Sequence, residues 1–240
     1  MELTLEQLKS YRAINNQVLI KITRKQNEIE YGKLKLYYDA SYDDFRNAVV
    51  TGTVVAVPEK LKFGPDGIHN HTTMDLKEGD SVWFHYMAFV NAMPGENQAD
   101  KKYYKIKGED YYCILVKYDS IFVAKRDQEV IPLNGYCLIE PQEGEDIWKS
   151  DIIQQTQITK TFYKHSLTYG TIRYLGSPIT KYANKAIPAD DDILKVGDKV
   201  AIDHACDIPL EVELHQTFKD KPNQIFYRVL RKDILGIIEE

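Results

Sequence analysis

Two histidines stand one residue apart in His69-Asn70-His71, a spacing that puts both imidazoles on one side of an extended segment. Asp66 and Asp75 are the nearest carboxylates, and a zinc ion usually takes three or four ligands. On spacing alone these residues read as the solvated polar side chains of a hairpin. His204-Ala205-Cys206 repeats the pattern and reads as a part-buried strand pair. Asp190-Asp191-Asp192 lacks the Gly and the closing Glu of a calcium loop and reads as a solvated turn. Lys101-Lys102-Tyr103-Tyr104-Lys105 mixes cations with stacking rings, as a surface for single-stranded nucleic acid would. The run is short and the chain carries a net charge of −5, so an amphipathic strand edge is expected instead. No G-x-G-x-x-G, P-loop or βαβ pattern occurs. The residues therefore predict no catalytic group, no metal, no cofactor and no nucleic-acid partner.

The three cysteines, Cys113, Cys137 and Cys206, form no C-x-x-C. An odd count without that motif argues against a disulfide scaffold and fits a reducing compartment. No signal peptide is evident, and no apolar stretch approaches the ~20 residues that span a bilayer. A soluble cytoplasmic protein is the expectation, with no membrane partner. At 240 residues the chain suffices for one large domain or two ordinary ones.

The elements that organise these residues appear twice. Leu76-Lys77-Glu78-Gly79-Asp80-Ser81-Val82 and Leu194-Lys195-Val196-Gly197-Asp198-Lys199-Val200 stand 118 residues apart. In each, Gly supplies a turn with positive φ, Asp can hydrogen-bond the turn backbone, and a strand-like alternation follows. Thr51-Gly52-Thr53-Val54 and Tyr169-Gly170-Thr171-Ile172 keep the same separation. Leu19-Ile20 answers Leu138-Ile139 at 119, and Asp119 to Ala124 answers Asp233 to Ile238 at 114. Four landmarks in constant order predict a tandem duplication.

Along the chain, residues 1–12 predict a short helix, with Thr4 and Gln7 spaced as a capping box. Strands are expected at Val18–Ile22, at Val49–Val57, from the first Gly-Asp turn through Phe84 to Phe89, at Tyr112–Val116 and at Ser120–Ala124. The second copy opens at Val130-Ile131-Pro132-Leu133 and continues with strands at Leu167–Leu175, through Ile202, at Gln224–Leu230 and at Ile234–Ile238. Long polar insertions separate them at 24–48 and 59–75, and again at 141–166 and 176–193. Many short strands with little helical period predict an all-β protein built from barrel-like domains.

The order of these landmarks resembles the GroES-like cochaperonin family. The closest likeness is Lys232-Asp233-Ile234-Leu235-Gly236-Ile237-Ile238-Glu239, followed by Leu194 to Val200. The resemblance implies two tandem GroES-like β-barrel domains, at 13–126 and 129–240, behind the helix at 1–12. It also implies a homo-oligomeric ring that caps the chamber of a GroEL-like chaperonin large subunit and assists protein folding. In that family the long loop after the first strand docks on the chaperonin through an apolar tripeptide behind glycines. That Gly-Gly-Ile-Val-Leu is absent here. The nearest counterparts are Leu34 and Leu36 behind Gly32, and Ile147-Trp148 behind Gly144 or Ile152-Ile153. The altered tripeptide keeps a second expectation open: a structural assembly protein, such as a virion component, that uses the barrels without binding a chaperonin.

Overall fold

The computed structural model describes residues 2–22, 28–31, 34–37, 50–63, 70–72, 74–92, 103–127, 129–143, 165–176, 193–203 and 226–239. These are mostly strand, as an all-β chain requires, and they fall into two compact units that change over between Val130 and Ile131. Among the described residues no helix is long and apolar enough to cross a membrane.

The first unit holds β1 (Glu2–Leu3), α1 (Leu5–Lys9), β2 (Gln17–Ile22), β3 (Glu28–Tyr31), β4 (Leu34–Tyr37), β5 (Thr51–Ala56), β6 (Leu61–Phe63) and β7 (Asn70–Thr72). It continues with β8 (Ser81–Phe84), α2 (Tyr86–Ala92), β9 (Tyr103–Ile106), β10 (Tyr112–Lys117) and β11 (Ile121–Arg126). β12 (Glu129–Pro132) contains the change of unit. The main sheet runs β1-β9-β10-β2-β5-β8-β11-β12, with β3-β4 and β6-β7 as separate hairpins. The second unit holds β13 (Tyr136–Glu143), β14 (His165–Leu175), β15 (Lys199–Ile202), β16 (Tyr227–Leu230) and β17 (Ile234–Ile237), ordered β16-β13-β14-β15-β17.

The order β10-β2-β5-β8-β11 in the first sheet is the order β16-β13-β14-β15-β17 in the second, and the ladders agree residue by residue. Ile20 faces Val54 as Ile139 faces Ile172, and Gly52 faces Val82 as Gly170 faces Val200. Register slips between Leu19 and Ile20 in one unit and between Leu138 and Ile139 in the other. A bulge in an antiparallel ladder places two residues against one and re-aims the strand. Its recurrence at matched positions shows that the two units share a local distortion as well as a strand order. The final strands agree too: Phe84 faces Ile121, and Ile202 faces Ile234. The structural separation there is 113 residues, one less than the motif Asp119–Ala124 suggests. Since side chains alternate, that single residue decides which face each one takes.

Burial explains why these strands form. Val18, Leu19, Ile20 and Ile22 are all buried, so β2 reads as a nearly continuous apolar run between two covered faces. On one face Leu19, Ala56, Ile106 and Cys113 pack with Leu8 of α1 and Ala13. The helix is thus held by tertiary packing, which a five-residue helix needs. Its capping box is as the spacing predicts: Thr4 Oγ1 accepts from the Gln7 N–H, and the Thr4 N–H donates to Gln7 Oε1. In the second unit Cys137, Ile139, Ile172, Val200, Ile202, Tyr227 and Val229 make one core.

Two local expectations are corrected. The strand expected through Phe89 stops at Phe84, and Tyr86–Ala92 is α2. Tyr86, Phe89 and Val90 also satisfy helical spacing, and His85 Nδ1 accepts the Met87 N–H at 3.1 Å, which starts the helix. Val130-Ile131-Pro132, read as the opening of the second copy, lies on β12 at the change of unit, and Ile131 is the first residue of the second unit. Of Tyr103-Tyr104-Lys105, all paired with β10, Lys105 also faces Glu2 of β1 and so is not an edge residue.

Candidate docking segments and the turns that frame them

The two Gly-Asp turns are built alike. Gly79 has φ +91° and Gly197 φ +100°, the region glycine enters without a Cβ penalty. The Gly79 N–H donates to Val54 O at 2.9 Å, and the Gly197 N–H to Ile172 O at 2.8 Å. Each aspartate closes its own turn: Asp80 Oδ2 accepts the Lys77 N–H at 2.8 Å, and Asp198 Oδ2 accepts the Lys195 N–H at 2.7 Å. The glycines across the ladder serve close approach. A Cβ on Gly52 would stand 2.4 Å from Ile20 Cγ2 and 2.6 Å from Lys21 O. On Gly170 it would stand 2.5 Å from Ile139 Cγ2 and 2.6 Å from Glu140 O.

A third turn is matched between the two units. Asn15 and Asn16 have φ 54° and 57°, and Asn134 and Gly135 have φ 56° and 73°. Gln17 N–H donates to Ile14 O and Tyr136 N–H to Leu133 O, each at 3.0 Å. Two central residues with positive φ make the mirror-image turn that suits strand twist. Asn tolerates that region better than most residues, and Asn-Asn set against Asn-Gly at a separation of 119 was the available signal.

Electrostatics separate the copies. Asp80 is 2% exposed and meets Arg126 as a fork, Nε to Oδ1 at 2.9 Å and Nη2 to Oδ2 at 2.8 Å. Nη2 also donates to Asp75 O at 2.8 Å, so one guanidinium fastens β11 to the turn before β8. Hydrogen bonding to Asp80 raises the Arg126 pKa. Asp198 is half-buried, and the position matched to Arg126 is Glu239, which cannot repeat the pair. Tyr118 is raised by burial and by the Asp75 carboxylate, to which its Oη donates at 3.4 Å. Its counterpart Arg231 sits in a buried position of the second unit and donates from Nε to Gly176 O at 2.9 Å. Burial pushes the Cys113 thiol up to about 11 against a lowering by Lys21.

The insertion expected to dock leaves β2 and returns at β5. Within it, β3 and β4 form an antiparallel hairpin in which Ile29 faces Leu36 and Tyr31 faces Leu34. Leu34 and Leu36 therefore fall on a regular strand. Gly32, between the strands, lies outside the described residues, as do Ile147, Trp148, Ile152 and Ile153 of the second insertion and Gly144 before them. His69, Asp66, His204, Cys206 and the aspartates at 190–192 lie outside them too. His71 faces Lys62 across the β6–β7 hairpin. Among the described residues no group of three or more His, Cys, Asp or Glu is placed to hold a metal.

Comparison of the chain with protein-family models gives no match. Comparison with curated proteins gives none either.

Proposed function

We propose that the protein is a tandem cochaperonin-like subunit. Its two units are GroES-like barrels, it assembles as a homo-oligomeric ring, and it caps a GroEL-like chaperonin through the insertions at 24–48 and 141–166. The observation that carries the reading is the doubled sheet, with one strand order, one bulge and one Gly-Asp turn. Each copy has its long insertion between the same two strands, β2 and β5 or β13 and β14. That is where the resembled family places its docking loop. The Leu34-Lys35-Leu36 stretch lies on β4 of the β3–β4 hairpin, inside the first of these insertions. Several weak contacts on one ring would add through multivalency, so no single segment needs high affinity.

The test is co-sedimentation with a GroEL-like chaperonin, with and without ATP. The unaltered chain is expected to pellet with the chaperonin in a nucleotide-dependent way. A variant carrying Leu34→Ser, Leu36→Ser, Ile152→Ser and Ile153→Ser is expected to stay in the supernatant. Binding that survives all four changes would sink the docking assignment. A folded chain that binds in no nucleotide state would instead favour the structural-assembly reading, for which the missing Gly-Gly-Ile-Val-Leu already speaks.

A further inference from the structure

Thr4, Asp80 and Asp198 each hold a backbone N–H through an oxygen. His85 holds the Met87 N–H through a nitrogen, Nδ1, at 3.1 Å. A hydroxyl or carboxylate oxygen still accepts at about pH 5, whereas an imidazole nitrogen accepts only while the ring is neutral. Histidine ordinarily becomes charged at about pH 6.5, and both ring nitrogens are then donors. The Met87 N–H belongs to the first turn of α2, and the next amide, the Ala88 N–H, donates to His85 O at 2.8 Å. A proton on Nδ1 therefore sets one N–H against another and puts a cation at the positive end of a helix. The Tyr86 ring stacks on the imidazole with centroids 4.7 Å apart and planes at 29°. An aromatic face accommodates the charged ring too, so the side chain stays and only the atom it offers to Met87 changes.

The surroundings supply little to offset that charge. α2 has no acidic residue in its first turn, and its one titratable side chain is Tyr86. β5 and β8 have none. β10, which packs against α2, carries Tyr112, Cys113 and Lys117. β11 sets Phe122 edge-on to the imidazole, and its cations Lys125 and Arg126 lie toward its other end, with Arg126 on Asp80. Ser120 O accepts the His85 N–H at 2.8 Å; beside it are Asp119, whose Oδ1 accepts from Ser120 Oγ at 3.2 Å, and Tyr118, which donates to Asp75. The repeat holds its own comparison. Asp203, 118 residues on, donates its N–H to Asp233 O at 3.1 Å as His85 does to Ser120 O, and its carboxylate does not lose its lone pairs in mild acid. We infer that His85 is an acid-released latch: neutral, it caps and seats α2, and charged, it frees the helix and uncovers the half-buried Phe89 and Val90 while the sheet stays folded. Acid favours the released form because only that form takes the proton without losing a hydrogen bond. The latch lies outside both insertions of the proposed function and does not depend on chaperonin binding.

Hydrogen–deuterium exchange of the full chain, read by mass spectrometry at about pH 7.5 and about pH 5.5 and corrected for the intrinsic effect of pH on amide exchange, tests it. Losing a cap is worth about fivefold in a helix's closed-to-open ratio, and a cation at its N-terminus about twofold more. Protection across 86–92 is therefore expected to fall about tenfold at the lower pH, with β13–β16 unchanged. His85→Asp puts the residue of the second copy into the first and keeps an acceptor at both values, so its protection is expected to hold. His85→Asn, an acceptor that does not titrate, gives the same reading without a charge and serves if the aspartate variant fails to fold. His85→Ala is expected to be low at both values. Equal protection of 86–92 in the unaltered chain at the two values overturns the inference. So does the same fall in His85→Asp or His85→Asn, which assigns the pH dependence to another group. Loss of protection throughout both sheets overturns it as well, because that is acid unfolding and not a latch.

Discussion

Asp80 and Asp198 occupy the same position in the repeat and bear different loads. Both accept a turn N–H, but only Asp80 is buried and paired in a fork. Removing one partner of a buried ion pair leaves the other uncompensated, whereas losing a single half-exposed hydrogen bond costs about 1 kcal/mol. Asp80→Asn should therefore destabilise its unit by about 3 kcal/mol, and Asp198→Asn by about 1 kcal/mol, measured by urea denaturation of each variant. The Cys113 thiol gives a pH signature. Its folded pKa, about 11, lies above the ordinary thiol value of 9.0, so the folded state holds its proton more tightly. Its contribution is full below pH 9 and is lost as pH rises through 11. Tyr118 and Tyr11, both raised chiefly by burial, act in the same direction at higher pH. Urea midpoints measured across that window should fall for the unaltered chain, and less steeply for Cys113→Ala.

At the scale of elements, the paired glycines Gly52 and Gly170 are the sharpest test of the repeat. An added Cβ would meet a backbone oxygen at 2.6 Å in either unit, and backbone in mid-sheet has little room to give. Gly52→Ala and Gly170→Ala should each cost about 3 kcal/mol, the upper end for overpacking, and by similar amounts. Calorimetry of the two variants checks this; a neutral result at either position would contradict the close approach. Much at this scale was legible in the sequence. The Gly-Asp turns follow from glycine's freedom and aspartate's reach, and the capping box from Thr4 and Gln7. What was not legible has physical causes. Six apolar-rich residues after Trp83 satisfy strand and helix periods alike, and the His85 side chain decides for the helix. The register after Asp119 slipped because short apolar runs align nearly as well one residue out. The hairpin β3–β4 hid in a polar stretch where alternation is weak.

Across the whole molecule, two sheets with one topology sit in different surroundings. The first is extended by β1 and β9 at one end and by β12 at the other, and the second has five strands among the described residues. The repeat was readable because turn chemistry tolerates few substitutions. The insertions carry no comparable signal, because apolar residues scattered in a polar stretch follow no fixed spacing. The doubled frame also makes each position its own control. Matched substitutions in the two units share a backbone setting, so a difference between them reports the neighbours alone.

The turn before the first core strand of each unit carries a further consequence, one of chemical lifetime. In the second unit it reads Asn134-Gly135, and in the first Asn15-Asn16. The amide nitrogen after an asparagine can attack the side-chain carbonyl, expel ammonia and leave a succinimide that water opens to aspartate or isoaspartate. Glycine in the following place offers that attack the least steric hindrance. Isoaspartate reroutes the backbone through the side chain and lengthens it by one carbon, in a turn whose Gly135 O accepts the Arg231 N–H at 2.9 Å. Mass spectrometry of tryptic peptides after prolonged incubation at mildly alkaline pH should find the gain of about one dalton first at Asn134 and later, if at all, at Asn15. The two copies, so alike in fold, would then age at different rates.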